Sequence, residues 1–270
     1  MNILSLGAGV QSSTVFLMSC DGVLEKLDAA IFADTQWEPA GVYEYLDFLR
    51  FKAKLAGIPL YTVTSGNIRE ESISAKVGIW GESDGTKRLI ASLPYYTSGG
   101  GQLRRQCTST YKAKPVQQKI RQLLGLEKGE RVKRGTRLNL WFGISQDEIR
   151  RVRISRVKWI EHCYPLLFGL PHAFRRSDCF NWIEAQGYPE PAKSACIGCP
   201  FHSAAGWRRI KDSPSEWQDV VTFDNAIRSN DRLNEELFLH PSRRPLEHVI
   251  FDNQEEMFGT NGCDEGYCGV

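Results

Sequence analysis

The opening third of the chain alternates short apolar runs with helix-patterned stretches, and this order constrains the fold more than any other feature. Asn2-Ile3-Leu4-Ser5-Leu6 ends in the turn Gly7-Ala8-Gly9 and leads into an apolar, helix-like stretch through Met18. Ala29-Ala30-Ile31-Phe32-Ala33 is a second run, closed by Asp34-Thr35, and Leu60-Tyr61-Thr62-Val63-Thr64 is a third, closed by Ser65-Gly66. Between them, residues 42–55 carry Leu46, Leu49, Ala53 and Leu55 near helical spacing. Strand, helix, strand, helix, strand at these intervals predicts an α/β fold: a parallel twisted sheet with helices on both faces. Further along, 110–124 reads as helix, 138–144 as a fourth strand and 159–167 as an edge strand. Residues 77–103, broken by Gly99-Gly100-Gly101, read as a loop or insertion. Residues 202–230 read as helical, anchored by Trp207, Ile210, Trp217, Val220, Val221 and Ile227.

The first strand–turn–helix has the chemistry of an anion site. A turn after a parallel strand presents backbone N–H groups at a helix N-terminus, where the helix dipole favours phosphate. Gly7, Ala8 and Gly9 are small enough to let a polyphosphate approach, and Ser12 and Ser13 add hydroxyl donors. The turn lacks the GK[ST] ending of a Walker A loop, and Ser12 stands where the dinucleotide fingerprint has its third glycine. Glycine turns also follow strands in sheets that bind nothing there.

Four of the eight cysteines fall in a pattern suited to soft ligands. Cys196-Ile197-Gly198-Cys199 is a CxxC pair in a Gly/Pro-ended loop, Cys179 precedes it to give C-x16-C-x2-C, and Cys107 lies far upstream. Four thiolates suit a [4Fe–4S] cluster or a structural zinc, with a redox pair as the other use of a CxxC. Cys20 and Cys163 read as small core residues, and the five histidines show no paired spacing.

Composition argues against disulfides. The chain of 270 residues is 24% charged and 41% hydrophobic, with no signal-like start and no apolar run of membrane-spanning length. The expectation is a cytoplasmic protein that does not engage the membrane. The net charge of +2 conceals an asymmetry. Residues 104–158 hold 16 Lys/Arg against 4 Asp/Glu, a balance of +12, and residues 212–270 hold 4 against 13, a balance of −9. A basic middle suits nucleotide phosphates or a nucleic-acid backbone, or is simply a solvated face.

Together these residues resemble a known family. Ser5-Leu6-Gly7-Ala8-Gly9-Val10-Gln11-Ser12-Ser13 resembles a divergent PP-loop, usually SGGxDS. Phe32-Ala33-Asp34-Thr35-Gln36-Trp37-Glu38 is similar to the DTG-x-E stretch of the phosphoadenosine-phosphosulfate (PAPS) reductase branch. Gly143 to Glu148 with Arg151 resembles its GxxxDExxR segment. Cys107-Thr108 with Lys112 and Pro115, then Cys179, Cys196 and Cys199, is similar to the iron–sulfur members, notably DNA-phosphorothioation sulfurtransferases. The likeness covers about residues 1–215. Gln11 stands where pyrophosphatase members carry an acid, and Gly7 where they carry Ser.

The resemblance implies a Rossmann-like HUP/PP-loop domain over 1–200 and a helical cap over 201–270 with a mobile, cysteine-containing tail. It implies ATP bound by Ser5, Gly7, Ala8, Gly9, Gln11, Ser12, Ser13, Phe32 and Asp34. Asp147 and Glu148 would hold Mg²⁺ or cap a helix, and Lys112, Arg150 and Arg151 would neutralise phosphate. The cluster, or zinc, would sit on Cys107, Cys179, Cys196 and Cys199. Family members adenylate a substrate oxygen, release pyrophosphate, and let a sulfur nucleophile displace AMP. Cys268, before Gly269, resembles the tail nucleophile of PAPS reductases, with Cys263 as resolving thiol, although Asp264 and Glu265 would raise a nearby thiol's pKa. A sulfurtransferase would draw on a cysteine desulfurase and act on DNA, tRNA or a nucleotide. A sulfonucleotide reductase and a non-catalytic, nucleotide- and cluster-binding subunit are the alternatives.

Overall fold

A computed structural model of the chain describes residues 1–74, 78–83, 86–90, 92–229 and 235–251, with 78–83 and 86–90 as backbone only. The chain divides into two compact units. The first comprises Met1–Asp34, Ala40–Thr64 and Ala113–Ser194, and the second Thr35–Pro39, Ser65–Lys112 and Ala195 onward. The units therefore interleave along the chain.

The first unit is the predicted α/β layer structure. Its five-stranded sheet has the order β3-β2-β1-β7-β8, from β1 (Asn2–Leu6), β2 (Ala29–Ala33), β3 (Leu60–Val63), β7 (Leu138–Phe142) and β8 (Ile160–Cys163), and every pairing is parallel. Successive side chains of a strand point to opposite faces, and here both faces are buried. Leu4, Leu6, Ala30, Phe32 and Trp141 join a core with α1 (Val10–Cys20), α2 (Ala40–Ala56), α5 (Pro165–Phe168) and α6 (Arg176–Ala185). Ile3, Ala29, Ile31, Ala33, Leu140 and Phe142 form a second core with Val116 and Ile120 of α4 (Lys114–Leu123). That two-sided burial is why these strands read as continuous apolar runs.

The strand order marks a topological switch point. Taken in sheet order, the strands run third, second, first, fourth, fifth, so connections leave in opposite directions from β1 and β7. The crevice outside the carboxyl ends of those two strands is the topological switch point, the recurrent ligand site of open parallel sheets.

The second unit holds α3 (Ile68–Ser74), a β4–β5 hairpin (Gly78–Ser83, Thr86–Ile90), β6 (Tyr96–Thr97) paired with β9 (Leu237–Phe238), α7 (Ala204–Lys211) and α8 (Pro214–Ile227). The stretch expected to be irregular thus contains an antiparallel hairpin. The segment 202–230 is two helices, broken at Asp212-Ser213-Pro214 because proline cannot continue a helix from the preceding turn. The core is aromatic: Trp37 lies 4.5 Å from Phe223, and Trp207 stacks on Phe251 at 6.1 Å. The Asp224 carboxylate ties it together by accepting from the Leu239 and Leu246 N–H groups, each at 3.0 Å, and by pairing with Arg228. No helix of the described residues is long and apolar enough to cross a membrane.

Candidate functional site

The turn after β1 lies at the switch point and is shaped for close approach. Ala8 takes a left-handed conformation (φ 55°), which reverses the chain between Gly7 and Gly9. Gly9 is the N-cap of α1 in an extended conformation; no side chain caps the helix and no acid sits in its first turn. The first-turn amides therefore carry the helix's positive end without a carboxylate to neutralise it. Ser12 Oγ accepts from the Gly7 N–H at 3.1 Å and donates to the Gly9 carbonyl at 3.2 Å, and Ser194 Oγ donates to the Gly7 carbonyl. Of the sequence-predicted residues, Ser12 thus shapes the turn from within, while Ser13 is fully buried behind it. Ser5 is half-buried in β1 and Phe32 is buried in β2. Asp34, at the end of β2, accepts from the Tyr43 hydroxyl at 3.0 Å.

The side chains beside the turn come from β7's end and from α6. Gly143 packs so tightly against α1 that a Cβ there would stand 2.4 Å from the Ser12 nitrogen. Gln11 is buried; its Oε1 accepts from the Arg176 guanidinium at 3.2 Å and its Nε2 has no hydrogen-bond partner among the described residues. Asp147 accepts from the Arg176 backbone N–H at 2.6 Å, where it serves the start of α6. Glu148 is buried and pairs with Arg151 at 2.5 Å. Burial lifts the Glu148 carboxyl above the usual carboxylate range, although Arg151 and Arg176 pull it down. Arg150 is exposed. Of the residues that reach the turn, Arg176 carried no motif in the sequence and Ser194 lies two residues before the CxxC pair. Each meets its partner across more than 160 residues.

The CxxC segment lies in the second unit with Cys107. Cys199 N–H donates to the Cys196 carbonyl at 3.0 Å, closing the loop, and His202 Nε2 lies 2.9 Å from the same oxygen. Gly198 is required: a Cβ would fall 2.0 Å from the Trp37 ring, whose backbone carbonyl also receives the Ile197 N–H at 2.9 Å. The Cys196 thiol donates to Glu38 Oε1 at 3.5 Å and lies 3.1 Å from Thr35 Oγ1, and Thr35 donates to the same carboxylate oxygen at 3.0 Å. Lys112 Nζ is 3.8 Å from that oxygen. Lys112 belongs to a π-helical turn, Thr108–Ala113, directly after Cys107; such turns are often found at functional sites.

These groups sense one another. Burial by itself would lower the Lys112 pKa, but Glu38 and the thiols of Cys196, Cys107 and Cys199 together raise it above its ordinary value. Burial pushes Cys199 up to about 11 and, with Glu38 beside it, Cys196 well above the ordinary thiol range. Cys196 and Cys199 are thus hydrogen-bonded thiols with raised pKa values beside a Glu–Lys pair. Among the described residues, no three His, Cys, Asp or Glu side chains are arranged to hold a metal ion. The donors themselves suit a soft metal, because a bound metal displaces thiol protons.

Cys179 belongs to the first unit. It is fully buried in the core beneath α1, its thiol touches Thr14, and burial pushes it up to about 12. Glu38 and Thr35, which hold Cys196, were unassigned by sequence spacing and were visible only as part of the Asp34–Glu38 stretch. Cys263 and Cys268 lie outside the described residues.

No protein-family model matches the chain, and no curated protein matches it. Among solved structures it is similar to phosphoadenylyl-sulfate (PAPS) reductase from Candida auris, solved as a phosphate complex, at 14% identity and a TM-score of 0.38. That likeness covers 70% of this chain and 74% of the other.

Proposed function

We propose that this chain binds an adenine nucleotide on the Gly7–Ser13 turn and acts as a PP-loop sulfurtransferase. It would cleave ATP between its α and β phosphates and pass sulfur to a nucleic acid or nucleotide. The observation that carries the reading is the position of the uncapped α1 N-terminus at the switch point between β1 and β7. There the backbone offers several N–H donors to one phosphate chain, and Arg176 adds a cation. Asp34, at the end of the adjacent strand, suits the ribose end of such a ligand.

Cys107, Cys196 and Cys199 are the soft donors in this reading, supported by their shared surroundings at Glu38 and Lys112. A [4Fe–4S] cluster bound there would supply a soft site for sulfur, and zinc a structural clamp. Lys112 and Glu38 would hold opposite charges against the thiol set. Cys268 and Cys263 would carry and resolve sulfur delivered by a cysteine desulfurase. The basic segment 104–158 suits a polyanionic acceptor, DNA or tRNA.

A sulfonucleotide reductase is the second reading, favoured by Gln11, a neutral amide where nucleotide cleavage would use a metal-binding acid. The two separate by product. Anaerobic protein incubated with α-labelled ATP, with and without DNA or tRNA, should release AMP and pyrophosphate. Sulfite release from PAPS in the presence of a dithiol reductant, without ATP cleavage, would replace the first reading by the second, and ADP formation would contradict both.

A further inference from the structure

Among the described residues, the carboxylates that could bring Mg²⁺ to the α1 turn each already meet a donor or a cation. Asp147 Oδ2 accepts from the Arg176 backbone N–H at 2.6 Å, and Glu148 pairs through Oε2 with Arg151 at 2.5 Å, leaving its Oε1 buried and unpartnered among the described residues beside the Arg151 and Arg176 charges. Asp34 accepts from Tyr43 at 3.0 Å. Within the first turn of α1 there is no acid at all, and its second residue is Gln11. These residues do not fit a nucleotide-bound magnesium ion, which keeps several waters and needs one or two available carboxylates in addition to phosphate oxygens.

In place of an acid and a metal the turn has a cation. Arg176 reaches Gln11 Oε1 at 3.2 Å, while the buried Gln11 Nε2 has no partner among the described residues and leaves a donor at the same place. The guanidinium itself is steadied from behind by the Phe180 ring, 5.3 Å away. A guanidinium, an amide donor and the uncapped helix N-terminus are three anion-binding groups converging on one turn.

We infer that the α1 turn binds its anionic nucleotide without a divalent cation, Arg176 supplying the charge that Mg²⁺ supplies elsewhere. The inference rests on the nucleotide reading above and specifies the ligand as the metal-free polyphosphate or sulfate-bearing nucleotide. Arg176 then acts on the ligand directly, and Gln11 orients it.

Titration calorimetry with ATP, and with PAPS, in EDTA and again with excess Mg²⁺ tests this. Affinity in EDTA should equal or exceed that with Mg²⁺. Arg176→Ala should weaken EDTA binding at least tenfold, on the order expected for a charge-assisted hydrogen bond, and Arg176→Lys should recover part of it. Thermal unfolding of each variant controls for folding, since the Arg176 side chain also meets Gln11 and Phe180. Binding that requires Mg²⁺ and is lost in Gly9→Asp would overturn the inference and leave the nucleotide reading standing. No binding of either nucleotide under either condition would overturn both.

Discussion

Gly143, one residue beyond β7, lies against the backbone of Ser12 so closely that a single added methyl group would sit 2.4 Å from the Ser12 nitrogen and 2.5 Å from its Cα. The contact joins the end of β7 to the first turn of α1 at the switch point. It is backbone against backbone, so no side chain can swing away to relieve it.

Gly143→Ala should therefore move the start of α1 rather than be absorbed. The expected cost is about 1–3 kcal/mol of stability, the usual range for overpacking, measured by urea denaturation, with nucleotide binding weakened in parallel. A variant as stable as the parent with unchanged nucleotide affinity would show that β7 does not brace the turn.

Gly198 carries a similar constraint on the thiol loop. Its added Cβ would meet the Trp37 ring at 2.0 Å, and Trp37 is anchored by an Nε1–H bond to Asp219 of 2.7 Å. Gly198→Ala should displace the indole, break that bond and cost roughly 1–3 kcal/mol. Altered near-ultraviolet dichroism, with the loss of stability, is the expected readout, and an unchanged spectrum would refute it.

Metal content separates the cysteines. Iron or zinc bound by anaerobically prepared protein should fall sharply in Cys196→Ala and Cys199→Ala. Cys179→Ala should instead keep the metal and lose about 1 kcal/mol or more of stability, because it removes a buried sulfur from a packed core. Loss of metal in Cys179→Ala, with stability unchanged, would make it a ligand.

His240 gives the protein a pH dependence of definite sign. Burial lowers its pKa from 6.5 to about 4, and Nδ1 lies 2.8 Å from Ser242 Oγ. Above pH 6.5 the ring is neutral in both folded and unfolded chains and costs nothing. As pH falls from 6.5 towards 4 the unfolded chain takes up the proton first, so stability drops by about 3 kcal/mol in all and then levels. His240→Gln should flatten that portion of the stability–pH curve, and a curve parallel to the parent's would contradict the assignment.

The sheet was legible because parallel strands covered on both sides must be apolar throughout: β1, β2 and β7 are short runs with few polar interruptions. Helix α2 was legible from its spacing. Helix α6 was not, because Arg-Ser-Asp-Cys-Phe-Asn-Trp-Ile-Glu-Ala has little amphipathic contrast, and its start is marked only by Asp178 accepting from the Arg175 N–H at 2.7 Å. The β4–β5 hairpin was hidden in a segment whose glycines read as loop.

The site divides in the same way. The turn at Gly7–Gly9 and the CxxC loop are local patterns, so sequence carries them. Arg176 reaches Gln11 across 165 residues, and Cys196 reaches Glu38 across 158; nothing in either segment alone announces the pairing. The choice between holding Mg²⁺ and capping a helix, open for Asp147 and Glu148 in the sequence, was a reading of residue type. Their actual partners, Arg176 and Arg151, are a matter of tertiary placement.

The central claim is that the α1 turn is the nucleotide site, and a charge placed in that turn tests it most directly. Gly9 has room for a side chain, since an added Cβ would meet Ser194 at an ordinary 3.5 Å. Gly9→Asp should therefore fold while setting a carboxylate against the phosphates. Calorimetric titration with ATP should give one-to-one binding to the parent protein and none to Gly9→Asp at matched thermal stability. Equal affinity in the two proteins would place the nucleotide elsewhere and contradict the account.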